Sequence, residues 1–146
     1  MAEPGYPEQL SIPSVGITSP IQAVGITANG EMAVPSGKTN NVGWWKGGAL
    51  PGQKGTAVLD AHVFAAFKKL DQVKVGDSLY VETANGTRLR FVVEAVQTYA
   101  LSAITSEMLF GEDGTPRLNL ITCAGKLTKD HSTYDHRLVV YTKLVS

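Results

Sequence analysis

Short strand-like segments separated by turn residues follow one another along the whole chain, and this punctuation constrains the fold more than any other feature. Fifteen glycines and seven prolines are spread over 146 residues, and the apolar runs between them are only a handful of residues long. Apolar or alternating runs of this length between turn signals are typical of an all-β protein. We count seven or eight strands, one or two short helices, no internal repeat and no domain boundary.

Local signals add two hairpins and two short helices to this pattern. Asparagine-glycine pairs favour tight hairpin turns, and they stand at Asn29-Gly30, between runs 21–26 and 31–34, and at Asn85-Gly86, between runs 78–83 and 88–96. Residues 63–70 have apolar side chains at nearly helical spacing, and residues 102–110 begin with candidate serine and threonine caps. Because closure removes exposed sheet edges, we predict a single closed or nearly closed β-barrel, preceded by an extended arm over residues 1–11.

Composition narrows the classes of function. Hydrophobic residues make up 43% of the chain and charged residues 18%, which is typical of a globular protein. Thirteen basic and thirteen acidic residues cancel, and without a basic stripe the chain is not expected to bind nucleic acid. The apolar runs are far shorter than the about 20 residues that cross a bilayer, and no signal peptide is recognisable. We expect a monomer.

Cofactor and metal signatures are weak. Three scattered histidines and a single cysteine lack the spacing of zinc ligands. Phosphate-loop and dinucleotide-binding fingerprints are absent from the sequence. We therefore predict no metal and no cofactor, and the single cysteine excludes an intramolecular disulfide.

Three residue types that suit cysteine chemistry each stand at the end of a different predicted strand. Cys123 ends an apolar run and is followed by the small residues Ala124 and Gly125, His62 closes the run 57–62, and Arg137 opens the run 137–141. A thiol can act as a nucleophile, an imidazole as a general acid or base, and a guanidinium as a fixed cation beside a developing oxyanion. The sequence therefore predicts a cysteine-dependent active site at one rim of the barrel.

Plainer interpretations stay open for each of these residues. A lone cysteine is often inert core, a lone histidine is often structural, and an arginine at a strand start can be a surface cation. His131 and His136 are rival bases. His131 lies in a polar loop, and His136 directly precedes Arg137, so strand alternation points those two side chains to opposite faces.

At these residues the chain resembles a sortase, over about residues 12–144. The family's threonine-leucine-X-threonine-cysteine motif is matched by Asn119-Leu120-Ile121-Thr122-Cys123, its histidine by Val58-Leu59-Asp60-Ala61-His62, and its arginine by Arg137-Leu138-Val139-Val140-Tyr141. Val42-Gly43-Trp44-Trp45, followed by Pro51-Gly52 and Gly55, is similar to class F and related actinobacterial-type sortases. Asn119 and Ala61 depart from the motifs, and neither is a reacting group.

The resemblance implies a closed eight-stranded β-barrel over residues 12–146. It also implies a membrane-anchored enzyme on the outer face of a bacterial membrane, with an N-terminal anchor that lies outside this chain. Such enzymes cleave a surface protein's sorting signal, typically of the Leu-Pro-X-Thr-Gly type, between threonine and glycine through a thioester. They then transfer the acyl group to an amine of a peptidoglycan precursor or a pilin lysine. The implied catalytic residues are His62, Cys123 and Arg137.

The resemblance also suggests where the signal peptide lies. In this family the segment before the cysteine strand forms a wall of the pocket, so apolar residues there are candidates for substrate contact, together with two neighbours of the thiol: Ala103, Ile104, Met108, Leu109, Thr122 and Ala124. The same wall residues could instead simply pack on the barrel. Two rival functions remain, a non-catalytic peptide-binding barrel with an inert thiol and an L,D-transpeptidase-like cell-wall enzyme, although the latter family has its cysteine and arginine closer together in sequence.

Overall fold

The computed structural model describes residues 5–28, 32–111, 113–130 and 133–145 and contains a closed barrel of eight strands. The strands are β1 Pro7–Ile12, β2 Ile17–Val24, β3 Val42–Trp45, β4 Gly55–Asp60, β5 Ser78–Thr83, β6 Arg88–Ala100, β7 Pro116–Leu127 and β8 Tyr134–Leu144. One short α-helix in the described residues, α1 (Ser106–Phe110), precedes β7, and 3₁₀ turns lie at Pro13–Val15 and Leu70–Gln72. The predicted fold class is confirmed.

Strand order brings the three candidate residues onto neighbouring strands. Around the barrel the order is β1-β2-β3-β4-β7-β8-β6-β5, and pairing of β5 with β1 closes it. β4 and β7 run parallel, whereas β7 and β8 are antiparallel. The strands that carry or precede His62, Cys123 and Arg137 therefore lie side by side.

Alternation along these three strands separates a main core from a second apolar cluster on the outer face. Leu59, Leu120 and Val140 are fully buried in the main core. Their neighbours Val58 and Val139 belong instead to the second cluster, which includes Leu109 of α1. Because successive side chains of a strand point to opposite faces, the outer face of β4, β7 and β8 is an apolar floor covered by α1.

Two local predictions are confirmed, and a third is only partly within the described residues. Gly86 has the positive φ of +85° that a tight turn requires, and the Thr83 amide donates to the Thr87 carbonyl at 2.9 Å. Thr105 caps α1, since its hydroxyl accepts a hydrogen bond from the Met108 amide. The Asn29-Gly30 turn lies outside the described residues, although Ile26 and Met32 on either side of it form a β-bridge.

Residues 63–70 are not the predicted helix. The amides of Ala65, Lys68 and Leu70 each donate to the carbonyl three residues earlier, which winds the segment into successive tight turns that end in the 3₁₀ turn Leu70–Gln72. Phe67 and Leu70 are both fully buried. Side chains three residues apart eclipse in this tighter winding, so it brings both of them to the core in a short connection.

The barrel begins at residue 7 and not at the residue 12 that the sequence indicated. β1 pairs with both β2 and β5, and its Leu10 and Ile12 side chains are fully buried. Most of the predicted arm that falls within the described residues therefore belongs to the barrel. None of the helices in the described residues is long and apolar enough to cross a membrane.

Candidate active site

A cavity of about 460 Å³ lies over the outer face of β4, β7 and β8. Its lining includes all three candidate catalytic residues, His62, Cys123 and Arg137. The other lining residues are Met32, Val34, Asp60, Ala61, Leu101, Leu109, Phe110, Ile121, Thr122 and Thr133. The structure thus brings together a thiol, an imidazole and a guanidinium that are 75 residues apart at most in the sequence (137 − 62).

Cys123 lies within β7 and not at its end. β7 continues to Leu127, and the register of β7 with β8 shifts between Ala124 and Leu127. Up to that shift Cys123 is the direct partner of Arg137, so the two side chains project to the same face. The half-buried thiol reaches the cavity because its side chain lies on the outer face of β7. The sequence had placed it at the end of a strand instead.

Contacts with neighbouring segments fix the residues around the thiol. The neighbouring Thr122 is buried, and its hydroxyl donates to the Ala61 carbonyl at 2.7 Å, which ties β7 to the residue before His62. Gly125 has φ +79°, and a side chain there would collide with Asp135 and His136 of β8. The glycine therefore lets β8 approach β7 closely two residues after the cysteine.

His62 stands two residues beyond the end of β4, at the edge of the cavity. Its carbonyl accepts hydrogen bonds from the amides of Ala65 and Phe67, so the turn that follows is wound on it. Its ring stacks on the Phe64 ring, with the centroids 4.7 Å apart and the planes at 18°. The imidazole is therefore held by its surroundings and is half-buried, not free in a loop.

Arg137 is held through both terminal nitrogens of its guanidinium. Nη1 donates to the carbonyls of Tyr134 at 2.9 Å and His136 at 3.0 Å, and Nη2 donates to the Thr133 hydroxyl at 2.9 Å. None of the ion pairs found among the described residues involves Arg137. Carbonyl and hydroxyl acceptors fix the planar group without neutralising it. A positioned positive charge therefore faces the cavity.

Neither rival histidine lines this cavity in the described part of the chain. His136 is the strand partner of Ala124, and its Nδ1 lies 2.6 Å from the Asp135 carboxylate. That hydrogen bond holds the pKa of Asp135 below its usual range. His131 lies outside the described residues.

The predicted wall of the pocket contributes in part. Leu109 lines the cavity, and so does its neighbour Phe110, which packs edge-on against Trp45 with centroids 4.7 Å apart. Ile104 packs in the second apolar cluster. Ala103 and Met108 are exposed and lie outside the lining. Of the two thiol neighbours, Thr122 lines this cavity, whereas Ala124 lines a separate one of about 380 Å³ that also reaches Cys123.

Two buried hydrogen bonds attach the wall to the barrel. The Asn119 side-chain amide donates to the Leu109 carbonyl at 2.8 Å, and the Thr56 hydroxyl donates to the Gly111 carbonyl at 2.7 Å. Both donors sit on the outer face, Asn119 on β7 and Thr56 on β4. The resembling family has threonine at the position of Asn119. Here Asn119 anchors the end of α1 above the cavity, which we also call the groove.

Sequence reasoning missed Asp60 as a lining residue. It is the last residue of β4 and only 5% exposed, and burial raises the pKa of its carboxyl to about 8. The signal was present in the sequence, because an acid two residues before His62 in an apolar run faces the same side of a strand. Across residues 5–28, 32–111, 113–130 and 133–145, no three histidine, cysteine or acidic side chains are grouped to hold a metal ion.

Comparison with known proteins gives a consistent assignment. The family model described as Sortase domain matches residues 10–145. Sortase C1 of Streptococcus agalactiae matches with a TM-score of 0.73 and 27% identity, over 95% of this chain and 66% of that one. A lid mutant of sortase A from Corynebacterium diphtheriae matches with a TM-score of 0.75 and 24% identity, over 99% of this chain and 73% of that one.

A third match adds a pilus-associated name. Group B Streptococcus Pilus Island 1 sortase C2 has a TM-score of 0.71 and 25% identity, over 95% of this chain and 73% of that one. This chain therefore spans about two thirds to three quarters of the length of these structures. No curated protein sequence matches the chain significantly.

Proposed function

The chain belongs to the sortase family, and from this we propose that it is a cysteine transpeptidase that cleaves a sorting signal and joins the released acyl group to an amine. The signal is of the Leu-Pro-X-Thr-Gly type, cut between threonine and glycine. The acceptor is an amine of a peptidoglycan precursor or a pilin lysine. One observation carries the proposal: Cys123, His62 and Arg137 line a single cavity, with Cys123 and Arg137 in direct strand register.

In the first half-reaction the Cys123 sulfur, as a thiolate whose proton has passed to His62, attacks the threonine carbonyl carbon, and a tetrahedral oxyanion forms. The carbon–nitrogen bond to glycine then breaks. His62 gives a proton to the departing amine, and the acyl group remains on sulfur as a thioester. The fixed ring of His62, stacked on Phe64, suits a proton donor that must stay at one edge of the cavity.

In the second half-reaction the acceptor amine attacks the thioester carbonyl. His62, now neutral, removes a proton from the attacking nitrogen. The carbon–sulfur bond breaks, the thiolate is regenerated, and a new amide joins the signal to its acceptor. A hydrolytic variant follows the same steps with water as the nucleophile.

Arg137 has the electrostatic role. A guanidinium keeps its positive charge at all working pH values, and its position opposite the thiol suits an oxyanion or a peptide carbonyl. Its three bonds to Tyr134, His136 and Thr133 set its direction in advance. Preorganisation of this kind avoids the cost of reorienting a charge during the reaction.

The apolar part of the same cavity suits the leucine and proline of the signal. Leu109, Phe110 and Ile121 lie there, together with Met32 and Val34 from the connection between β2 and β3. We assign Leu109 and Thr122 to substrate contact. For Ala103, Ile104, Met108 and Ala124 the cavity gives no such support, and their predicted contacts with the same peptide segment remain predictions.

Mass spectrometry of the protein mixed with a small library of sorting-signal peptides tests the proposal. We expect an adduct on Cys123 with the mass of the peptide up to threonine, and a new amide when an amine is added. Cys123→Ala is the control and should give neither product. If no peptide acylates the wild-type protein, the proposal is wrong.

A thiol-reactive probe separates the enzyme from a peptide-binding barrel with an inert thiol. Activation by His62 predicts rapid labelling of Cys123 that slows when His62 is replaced. Labelling at the same rate in His62→Ala would favour the binding module.

The same proposal includes three further properties. They are location on the outer face of a bacterial membrane through an N-terminal anchor, a monomeric state and a class F-like branch.

A further inference from the structure

Phe64 is a large apolar side chain that the barrel core does not use. It is 61% exposed, whereas Phe67 in the same run of tight turns is fully buried. The Phe64 ring nevertheless has a defined place, because it stacks on the His62 ring with the centroids 4.7 Å apart and the planes at 18°. The contact that accounts for this aromatic side chain is therefore the candidate catalytic histidine.

A second segment, distant in sequence, reaches the same two rings. Gly37 lies in the connection between β2 and β3, 25 residues before His62 (62 − 37). A Cβ atom at this position would collide with the Phe64 ring and would come within 3.3 Å of the His62 Cδ2 atom. The stacked rings therefore lie directly against this part of the connection, and they fit there because Gly37 has no side chain.

Hydrogen bonds hold the connection in place around Gly37. The glycine is the second residue of a turn in which the Thr39 amide donates to the Ser36 carbonyl at 3.1 Å and the Thr39 hydroxyl donates to the same carbonyl at 2.9 Å. The next side chain ties the turn to β2, since the Asn40 amide group donates to the Thr18 carbonyl at 3.1 Å. The backbone that meets the two rings is thus a fixed surface.

A fixed ring plane matters for the proton transfers of the proposed reaction. A general acid or base works only when its nitrogen is about 2.6–3.2 Å from the atom with which it exchanges a proton. His62 stands beyond the end of β4, so strand pairing does not hold its side chain. Stacking on Phe64, with Gly37 behind both rings, restricts the side-chain rotation that would carry the ring nitrogens out of reach.

We propose that Phe64 and Gly37 are positioning residues that fix the ring of His62 for proton transfer. This inference rests on the proposed function, in which His62 is the general acid and base. Phe64 acts through its contact with the imidazole. Gly37 acts through Phe64, because the missing side chain leaves room for the stacked rings. Neither residue exchanges a proton or forms a bond itself.

Substitution of Phe64 tests the role of the stack. Phe64→Leu and Phe64→Ala remove the aromatic face, and we expect kcat for transfer of a signal peptide to fall by about tenfold or more with KM within about twofold. Phe64→Tyr keeps the stack and should restore most of kcat. Val75→Ala truncates a similarly exposed side chain (66%) outside both cavities and should change neither constant.

A double-mutant cycle with His62 distinguishes positioning from general damage. In His62→Ala the ring that Phe64 contacts is absent, so the further change Phe64→Ala should alter the slow residual acylation of Cys123 by no more than about twofold. A loss of about tenfold in that background as well would show that Phe64 acts independently of His62 and would overturn the inference.

Gly37→Ala tests the second residue. Gly37 is not among the glycines with positive φ, so alanine can adopt its backbone conformation. The added methyl group should displace the exposed Phe64 ring and lower kcat as Phe64→Leu does, whereas in a Phe64→Ala protein the methyl group has room and should cost little. Gly25→Ala, in the same connection, is the control, because its Cβ would meet only the Lys46 side chain, at 3.5 Å.

Three further results would each overturn the inference and leave the proposed function standing. The first is an unchanged kcat in both Phe64→Leu and Phe64→Ala. The second is a rise in KM that depends on the peptide while kcat is retained, which would make Phe64 a substrate contact. The third is full additivity of Gly37→Ala and Phe64→Ala. If no peptide acylates the wild-type protein, the inference falls together with the proposed function.

Discussion

His62 follows β4 and His136 lies within β8, but only His62 lines the cavity that contains the thiol. We expect His62→Ala to lower the rate of peptide acylation by about 10²-fold to 10⁴-fold, the usual contribution of a general acid or base. His136→Ala removes a ring that pairs with Asp135 instead, so its rate should stay within a few-fold of wild type. Rates are measured by adduct formation on Cys123. The reverse ranking would transfer the role of base to His136.

The Asp60 carboxyl predicts a pH dependence of stability. Its pKa is about 8 in the folded protein and 3.8 as the ordinary value, so the folded state keeps a proton that the unfolded chain releases between these limits. The contribution of this group to stability is therefore complete below pH about 4 and is lost as pH rises towards 8. Asp60→Asn cannot ionise, so its free energy of unfolding relative to wild type should rise over that window, by several kcal/mol as an order of magnitude.

Urea unfolding of both proteins at pH 5, 6.5 and 8 measures this difference. Glu82→Gln, an exposed acid on β5, is the matched control and should run parallel to wild type. Parallel profiles for Asp60→Asn and wild type would show that a partner or water stabilises the ionised carboxylate in the folded state, so that the pKa of Asp60 is not raised.

At the scale of single residues, the sequence predicted which side chains bear reactive groups, but it did not predict the environment of each side chain. Motif order and strand-end positions were enough to select Cys123, His62 and Arg137, which the fold then brings to one cavity. Strand alternation could have placed Asp60 on the same face as His62, but it could not predict that the carboxyl is buried. Its burial depends on Gly43 and Pro35, which reach it from a different strand and connection.

At the scale of elements, the Asn119–Leu109 and Thr56–Gly111 hydrogen bonds attach α1 and its neighbouring loop to the barrel. Asn119→Leu removes the first bond and leaves the Leu109 carbonyl without its donor, so we expect a loss of about 1–3 kcal/mol in stability. The wall should also become less well placed over the groove. We therefore expect a higher KM for the signal peptide with a smaller change in kcat.

Thr142→Val is the control for this variant. The Thr142 hydroxyl donates to the Leu118 carbonyl at 2.7 Å in a fully buried part of β8. Its loss should lower stability by a similar amount without changing KM. An equal rise in KM in both variants would attribute the effect to general destabilisation rather than to the wall.

The existence of the strands was predictable from alternation, whereas their ends were not. β7 extends to Leu127 and β8 begins at Tyr134, because the two strands pair with each other beyond the apolar residues that mark them in the sequence. The segment 63–70 shows a second limit. The spacing predicted a helix there, but spacing of three and four residues does not distinguish a helix from successive tight turns.

For the molecule as a whole, the arrangement of the site depends on pairings between distant segments. β4 pairs in parallel with β7, 61 residues later by register (Asp60 with Ile121, 121 − 60). Alternation gives the face that each side chain takes but not the neighbour of each strand. The resemblance to a known family supplied the barrel and its strand count, which local pattern alone left at seven or eight.

Closure of the barrel gives a prediction about its first strand. A chain that starts at residue 12 keeps only Ile12 of β1. It lacks Leu10, which is fully buried and pairs with Val81 of β5. The edges of β2 and β5 would then be unpaired, and exposed edges promote association. We expect this chain to lose cooperative thermal unfolding and to aggregate, as measured by circular dichroism and sedimentation.

A chain that starts at Tyr6 keeps β1 and is the matched control. Equal unfolding temperatures for the two chains would show that seven strands suffice to hold the groove, and that the predicted boundary at residue 12 is also the boundary of the stable barrel.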